Sequence, residues 1–135
     1  MNRALVAASA AITMVGCGPS KEEQERAAVV ARIEAVVAIP ARDVESRARA
    51  VDALRRTAVT TPDARAARDL CANAFGALAE GMRLTSEAEA GLRPGSGSNP
   101  EAAVKAAKDA DALLAGVDAD LDRCSESSAA LRLRR

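Results

Sequence analysis

The chain contains no histidine, tryptophan or tyrosine, and Phe75 is its only aromatic residue. Without histidine it has no imidazole ligand for a metal, and neither a Ser-His-Asp nor a Cys-His catalytic system. Without tryptophan or tyrosine it has no aromatic platform on which a sugar ring could stack. The sequence therefore predicts that the protein is not an enzyme, and that it uses no metal, no cofactor and no small-molecule substrate.

An excess of charge of one sign is also missing, because 19 lysines and arginines balance 19 aspartates and glutamates. A net charge of zero creates no general attraction to a polyanion, so we expect no nucleic-acid partner. With 135 residues the chain has the length of one domain. Because aromatic side chains are so scarce, its core must come from Ala, Val, Leu and Ile, and Ala buries little area per residue.

The longest apolar run extends from Ala4 to Val15, directly after Arg3. About 12 residues are too few to span a bilayer, which takes roughly 20, but they suit the apolar region of a signal peptide. The run ends in Met14-Val15-Gly16-Cys17, which resembles the lipobox of bacterial lipoproteins. The resemblance implies a signal peptide over residues 1–16, cleavage before Cys17, and attachment of acyl chains to that cysteine.

The residue that follows the lipobox cysteine indicates in which membrane a lipoprotein is anchored. Gly18 stands where some lipoproteins carry an aspartate that retains them in the inner membrane. The resemblance therefore implies an anchor in the outer membrane with the protein facing the periplasm, and the outer face of the cytoplasmic membrane is the alternative. If Cys17 is instead unmodified, the run is an uncleaved hydrophobic start.

The mature part begins with a short tether, residues 17–19, and then a helix signal. Ser20-Lys21-Glu22-Glu23 is a capping box, which predicts a helix that begins at Ser20. Apolar residues then recur at heptad spacing, at Val30, Ile33, Val37, Val44, Val51, Leu54 and Ala58. Arg47 interrupts this series, and Pro40 lies within it. Because the phase is the same on both sides of the proline, we expect one helix over residues 20–59, kinked at Pro40.

Two further helix starts follow. Thr61-Pro62-Asp63 offers a capping hydroxyl, a proline at the first helical position and an acid near the positive end of the dipole. That helix runs to about Gly91, and its apolar face carries Cys71, Phe75, Leu78 and Met82. Residues 93–100 are rich in Gly, Ser and Pro and predict a loop. Asn99-Pro100-Glu101 then begins the last helix, whose apolar face carries Ala107, Ala110, Leu114, Val117, Leu121 and Cys124.

The fold class expected from these patterns is all-α. We expect an antiparallel three-helix bundle over residues 20–128, with a four-helix bundle as the alternative if Pro40 marks a true turn. Residues 129–135 are expected to form a frayed basic tail. In the three-helix form the arginines of this tail point away from the anchor, whereas in the four-helix form they return to it.

The remaining cysteines fit this arrangement. If Cys17 carries lipid, Cys71 and Cys124 are the two left, and in an oxidising compartment they favour one disulfide. They lie almost equally far in sequence from Gly97 in the loop, so an antiparallel hairpin brings them to the same height. Both also lie on the apolar faces of their helices. The alternative is two buried free thiols.

Three polar groups are weaker candidates. Asp118, Asp120 and Asp122 resemble the start of a calcium-binding EF-hand loop, but Arg123 and Ala129 occupy the positions of its Gly and Glu, so a solvated acidic face is favoured. Glu80 and Glu87 are a possible but unsupported glycosidase pair. The third group consists of three arginines of the tail, Arg132, Arg134 and Arg135. They could contact an anionic partner, and the simpler interpretation is a solvated terminus.

These observations predict a lipid-anchored cell-envelope lipoprotein with a small helical bundle and a binding or structural role. Its expected partners are the membrane, through the anchor, and an envelope protein or cell-wall component. The alternative function is that of an accessory or regulatory subunit of an envelope membrane complex, which an exposed apolar stripe would favour.

Overall fold

A computed structural model describes residues 18–95, 97 and 99–134, and every regular element in those residues is a helix. The helices are α1 (Lys21–Val37), α2 (Val44–Arg55), α3 (Pro62–Leu92), α4 (Pro100–Leu114) and α5 (Val117–Leu133). The all-α prediction is confirmed. The signal peptide and the lipobox, including Cys17, lie outside the described residues.

The five helices form four columns, because α4 and α5 follow one another along the same side of α3. Gly91 of α3 lies against Ala103 of α4, and Gly81 lies against Leu114 at the end of α4. Farther toward the start of α3, Cys71 is joined to Cys124 of α5. The last two helices therefore run antiparallel to α3. α1 and α2 complete the bundle, and the four-helix alternative describes it better than three helices.

The expected kink at Pro40 is wrong, because the chain turns there and reverses. α1 ends at Val37, and the amide of Asp43 then donates to the Pro40 carbonyl at 3.0 Å. The Asp43 carboxylate caps α2 by accepting from the Ser46 amide at 3.0 Å. The heptad spacing of apolar residues continues through the turn because α1 and α2 both pack on the same core. The two segments do not need to form one continuous helix for this spacing to be kept.

Arg47, which interrupts the apolar series, stabilises that turn. Its residue is only 9% exposed, and its Nη2 donates to the Ile39 carbonyl at 2.7 Å. A carbonyl in a turn lacks a helical partner, so a buried guanidinium that reaches it offsets the loss of a backbone hydrogen bond. The polar residue in the stripe therefore marks the position of the turn.

The core follows the predicted stripes with two exceptions. Val30, Ile33, Val51 and Leu54 are buried, and Val44 is half-buried. Val37 is 62% exposed, because it is the last residue of α1 and the turn begins behind it. Ala58 is exposed and Val59 is buried in its place, because α2 ends at Arg55 and the helical phase does not extend to residue 58.

The last column repeats every seven residues. Its most buried positions are Ala103, Ala110, Val117, Cys124 and Leu131, each at most 4% exposed. We expected one continuous helix here, but Gly116 adopts a φ of 86° and separates α4 from α5. This left-handed conformation is readily available only to glycine. As at Pro40, an unbroken apolar phase continues across a break in the backbone.

The C-terminal residues are part of the bundle instead of a frayed tail. α5 continues to Leu133, and Leu131 is only 2% exposed. Leu131 belongs to the same buried cluster as Val29 and Val30 of α1 and Cys71 of α3, so α5 contributes to the core between these helices. The predicted boundary after residue 128 therefore falls inside a packed helix, and only Arg134 follows α5 in the described residues.

Small residues allow α3 and α4 to approach closely. A Cβ at Gly91 would lie 2.9 Å from the Cβ of Ala103, and one at Gly81 would lie 2.6 Å from the side chain of Leu114. Both distances are shorter than van der Waals contact between carbon atoms. At Gly91 the neighbouring atom is the fixed Cβ of Ala103, so the close approach of α4 requires a glycine there, whereas at Gly81 the flexible end of Leu114 could move aside.

Candidate functional site

The tether leads directly into a rigid helix. The Ser20 amide donates to Glu23 Oε2 at 2.7 Å, and the Glu23 amide donates to Ser20 Oγ at 3.2 Å, which confirms the capping box. Gln24 Nε2 also donates to the Pro19 carbonyl at 2.8 Å. The capped start of α1 therefore lies three residues after Cys17.

Glu25 joins α1 to the start of α3. Its carboxylate accepts four hydrogen bonds, from the amides and the hydroxyls of Thr60 and Thr61, at 2.6–2.8 Å. Bonds from the Thr61 hydroxyl and amide, together with those from Thr60, lower the pKa of Glu25 to about 2. The carboxylate is therefore ionised throughout the physiological range, beside the positive end of the α3 dipole.

This contact changes the role that the sequence predicts for Thr61. We expected its hydroxyl to cap α3, but no side-chain cap bond forms, although Thr61 is the N-cap residue and Pro62 occupies the first turn as predicted. The hydroxyl donates to Glu25 instead. A long-range carboxylate has replaced the local cap, and nothing in the spacing of Glu25 and Thr61 along the chain signals that pairing.

Asp63 connects three helices at the same end. Arg26 of α1 donates through Nε to Asp63 Oδ2 at 3.0 Å, and Arg134 after α5 donates to the same oxygen at 3.1 Å. Burial raises the pKa of Asp63, but the bonds from Arg26, the Ala64 amide and Arg134 outweigh it, so the pKa lies below its ordinary value. We call the part of the bundle that contains residues 18–26, 60–65, 133 and 134 the tether end.

The C-terminal arginines thus return to the tether end, as the four-helix form requires. Arg134 reaches Asp63, and Arg132 donates to Glu34 of α1 at 2.8 Å. The two guanidinium-bearing side chains remain 62% and 48% exposed, so these ion pairs are open to solvent and contribute little to stability. Arg135 lies outside the described residues. Contact of this group with an anionic partner stays a prediction.

Cys71 and Cys124 lie within bonding distance. Their sulfur atoms are 2.08 Å apart, the distance of a disulfide bond, and their Cα atoms are 4.9 Å apart. Both residues are almost completely buried, at 0% and 2% exposure. The cross-link joins the first third of α3 to the middle of α5, on the tether side of the break at Gly116.

An open groove lies beside the disulfide, and Val37 is part of its lining. It lies between α1 and α5, has a volume of about 350 Å³, and is lined by Ile33, Val37, Phe75, Leu121, Cys124, Ser125, Ser128 and Arg132. Ser128 is 4% exposed, and its hydroxyl has no hydrogen-bond partner among the described residues. The groove is open and mainly apolar.

The candidate carboxylates do not form a site. Arg83 bridges Glu80 and Glu87, and the hydrogen bond from Arg83 is the main reason that the pKa of Glu80 is lowered, whereas a glycosidase acid needs a raised pKa. Asp120 pairs with Arg123 on α5. In the described part of the chain, no three acidic or cysteine side chains are close enough together to hold a metal ion.

The described helices also include none with the length and apolar character needed to cross a membrane. Comparison of the chain with protein families, with curated proteins and with solved structures finds no match. The candidate functional features are therefore those of the chain itself: the tether end, the disulfide, and the far end of α3 and α4.

Proposed function

We propose that the protein is a lipid-anchored cell-envelope lipoprotein that holds a disulfide-linked helical bundle at a membrane surface, in a binding or structural role. The observation that carries this proposal is the lipobox-like sequence that ends at Cys17, followed by Gly18, Pro19 and the capped start of α1. A tether this short gives the bundle little freedom to move away from its anchor. We propose the outer membrane, with the bundle in the periplasm, as its location.

The shape of the bundle supports a role in presenting a surface at a distance from the anchor. Both α1, with 17 residues, and α3, with 31 residues, begin at the tether end. At 1.5 Å per residue α3 is about 46 Å long and extends about 20 Å farther than α1. The paired ends of α3 and α4 are therefore the part of the bundle best placed to meet an envelope protein or the cell wall.

An accessory subunit of a membrane complex is the alternative function. A continuous exposed apolar stripe on α3 or α4 would favour this function, because such a stripe is typical of a protein-protein contact. Val104 and Leu113 of α4 are 49% and 37% exposed. They are half a turn out of phase at about 100° per residue, so they lie on opposite sides of α4 and form no stripe along it. On α3 the single exposed large apolar residue among those described is Leu92, the last residue of the helix. The simpler anchored binding or structural role is therefore better supported.

Labelling with a fatty acid tests the anchor. Cells that produce the full chain are fed an alkyne-bearing palmitate, and the protein is purified and probed for the label. We expect strong labelling of the natural chain and none of the Cys17→Ser variant, because the thiol is the only attachment point that the lipobox provides.

A Cys71→Ala/Cys124→Ala variant is the matched control and must keep the label, since those cysteines lie in the bundle. Equal labelling of the Cys17→Ser variant and the natural chain, or absence of label from both, contradicts the lipoprotein proposal.

A further inference from the structure

The tether end carries a large apolar side chain with no partner. Leu133, the last residue of α5, is 86% exposed, and it is the most exposed of the large apolar residues described. In sequence it lies between Arg132 and Arg134, and Arg135 follows. A leucine surrounded by arginines is typical of segments that lie in the interface of a membrane, with the apolar group in the acyl boundary and the cations near phosphates.

The fold brings this residue close to the tether. Arg134 donates to Asp63, which also accepts from Arg26 in the second turn of α1. A chain of side-chain contacts therefore links the C-terminus of α5 to α1, whose N-cap residue Ser20 lies three residues after Cys17. Three residues span at most about 10 Å, so a lipid on Cys17 would hold the C-terminus near the bilayer surface.

The charges available to an outside partner at this end are mainly basic. Lys21 lies 3.8 Å from Glu25, but its side chain remains 76% exposed. Arg65 is exposed and donates to the Thr60 carbonyl at 3.3 Å without a carboxylate partner among the described residues. The acidic groups are already bound within the protein. Glu23 accepts from the Ser20 amide, and Glu25 accepts from Thr60 and Thr61.

Asp63 is shared by two arginines and is only 24% exposed. Glu22 pairs with Arg26 at 3.5 Å but remains 69% exposed. The tether end thus exposes three cations, Lys21, Arg65 and Arg134, and one leucine, against one exposed carboxylate, Glu22. This pattern complements a surface that has phosphates above an apolar layer.

We propose that the tether end is a second membrane contact, in which Leu133 enters the interface of an anionic phospholipid bilayer while Lys21, Arg65 and Arg134 face its phosphates. The inference rests on the proposed function, because a single weak contact of this kind needs the anchor to hold it at the surface. It makes the bundle stand in a fixed orientation, with the ends of α3 and α4 directed away from the lipid.

A chemically imposed anchor tests this contact. With Cys71 and Cys124 in their disulfide, Cys17 is the only free thiol of the mature chain that begins there, so it can be coupled to a maleimide lipid in vesicles. The chain has no tryptophan, so Leu133→Trp introduces a single fluorescent probe. Leu92→Trp is the matched control, because Leu92 is also exposed, at 61%, but lies at the far end of α3.

Vesicles of phosphatidylglycerol with phosphatidylcholine are compared with pure phosphatidylcholine, each with brominated acyl chains as quencher. We expect quenching of the probe at residue 133 in the anionic vesicles, reversed by high salt, and little quenching at residue 92. Arg65→Gln is expected to lower the ratio of docked to undocked chains about fivefold, the effect of one basic residue near an anionic surface. Lys108→Gln on α4 is its control.

Equal quenching of the two probes overturns the proposal, as does quenching at residue 133 that is unchanged by lipid charge and by Arg65→Gln. Since the lipid is attached chemically, these results do not depend on whether cells acylate Cys17. A failure here would leave the lipoprotein proposal intact, and absence of palmitate label would not alter the vesicle result.

Discussion

Replacement of Cys71 and Cys124 by alanine is expected to lower the free energy of unfolding by about 4 kcal/mol. The disulfide closes a loop with a sequence separation of 53 residues, and the loss of chain entropy in the unfolded state gives a value of about 4 kcal/mol for a loop of this length. Typical domains are stable by about 5–15 kcal/mol. A core made largely of alanine has little else to offset the loss.

Chemical denaturation of the natural chain with and without reductant measures this effect. The reduced natural chain and the double alanine variant are expected to unfold at similar, lower denaturant concentrations, and reductant is expected to leave the variant unchanged. Alanine is preferred to serine because both positions are almost completely buried and a hydroxyl there would lack a partner. A natural chain whose midpoint is the same in oxidant and reductant would contradict a stabilising role of the bond.

The second large effect is expected from Glu25→Gln. The amide that replaces the carboxylate cannot accept from all four donors of Thr60 and Thr61, and it removes the negative charge at the start of α3. We expect the melting temperature of this variant at neutral pH to fall further than that of any other single carboxylate-to-amide variant. Glu22→Gln is the matched control, since Glu22 is 69% exposed and only forms an ion pair with Arg26.

The pH dependence gives a sharper form of the same prediction. The pKa of Glu25 falls from 4.5 to about 2 on folding, so the unfolded state binds the proton more readily. The contribution of Glu25 is therefore complete above about pH 4.5 and is lost as the pH falls to about 2. Melting curves over this interval are expected to converge for the natural chain and Glu25→Gln. A constant difference between the two chains would show that ionisation of Glu25 does not stabilise the fold.

Much of the fold could be predicted from local signals. Ser20, Thr61-Pro62 and Asn99-Pro100 mark the starts of three helices correctly, and Asn99 accepts from the Ala102 amide at 3.1 Å as a cap should. The approach of Cys71 and Cys124 followed from their equal distance to the loop and their common apolar phase. These features depend on neighbouring residues or on helical geometry, both of which are visible in the sequence.

The breaks between helices could not be predicted in this way. The apolar phase is preserved through Pro40 and through Gly116, yet the chain reverses at the first and changes conformation at the second. The periodicity of the apolar residues shows only which face of a helix meets the core. Two separate helices that pack on the same core can therefore share one periodicity. The better indicator at Pro40 was Arg47, a charged residue in the stripe that bonds to the Ile39 carbonyl of the turn.

The tether end was also missed, because its contacts join residues far apart in the chain. Glu25 meets Thr61 and Arg134 meets Asp63 only after four columns have formed. Under the expected three-helix fold, the C-terminal arginines would have lain at the opposite end. One turn instead of a kink therefore changes the end of the bundle at which the C-terminal arginines lie.

The intact mass of the protein extracted from membranes in detergent tests the account most directly. We expect a polypeptide that begins at Cys17, heavier than its sequence by a diacylglyceryl group with or without a further acyl chain, and lighter by two hydrogens for the bond between Cys71 and Cys124. A mass that corresponds to the unmodified chain from Met1 would contradict the lipid anchor, and with it the orientation proposed for the bundle.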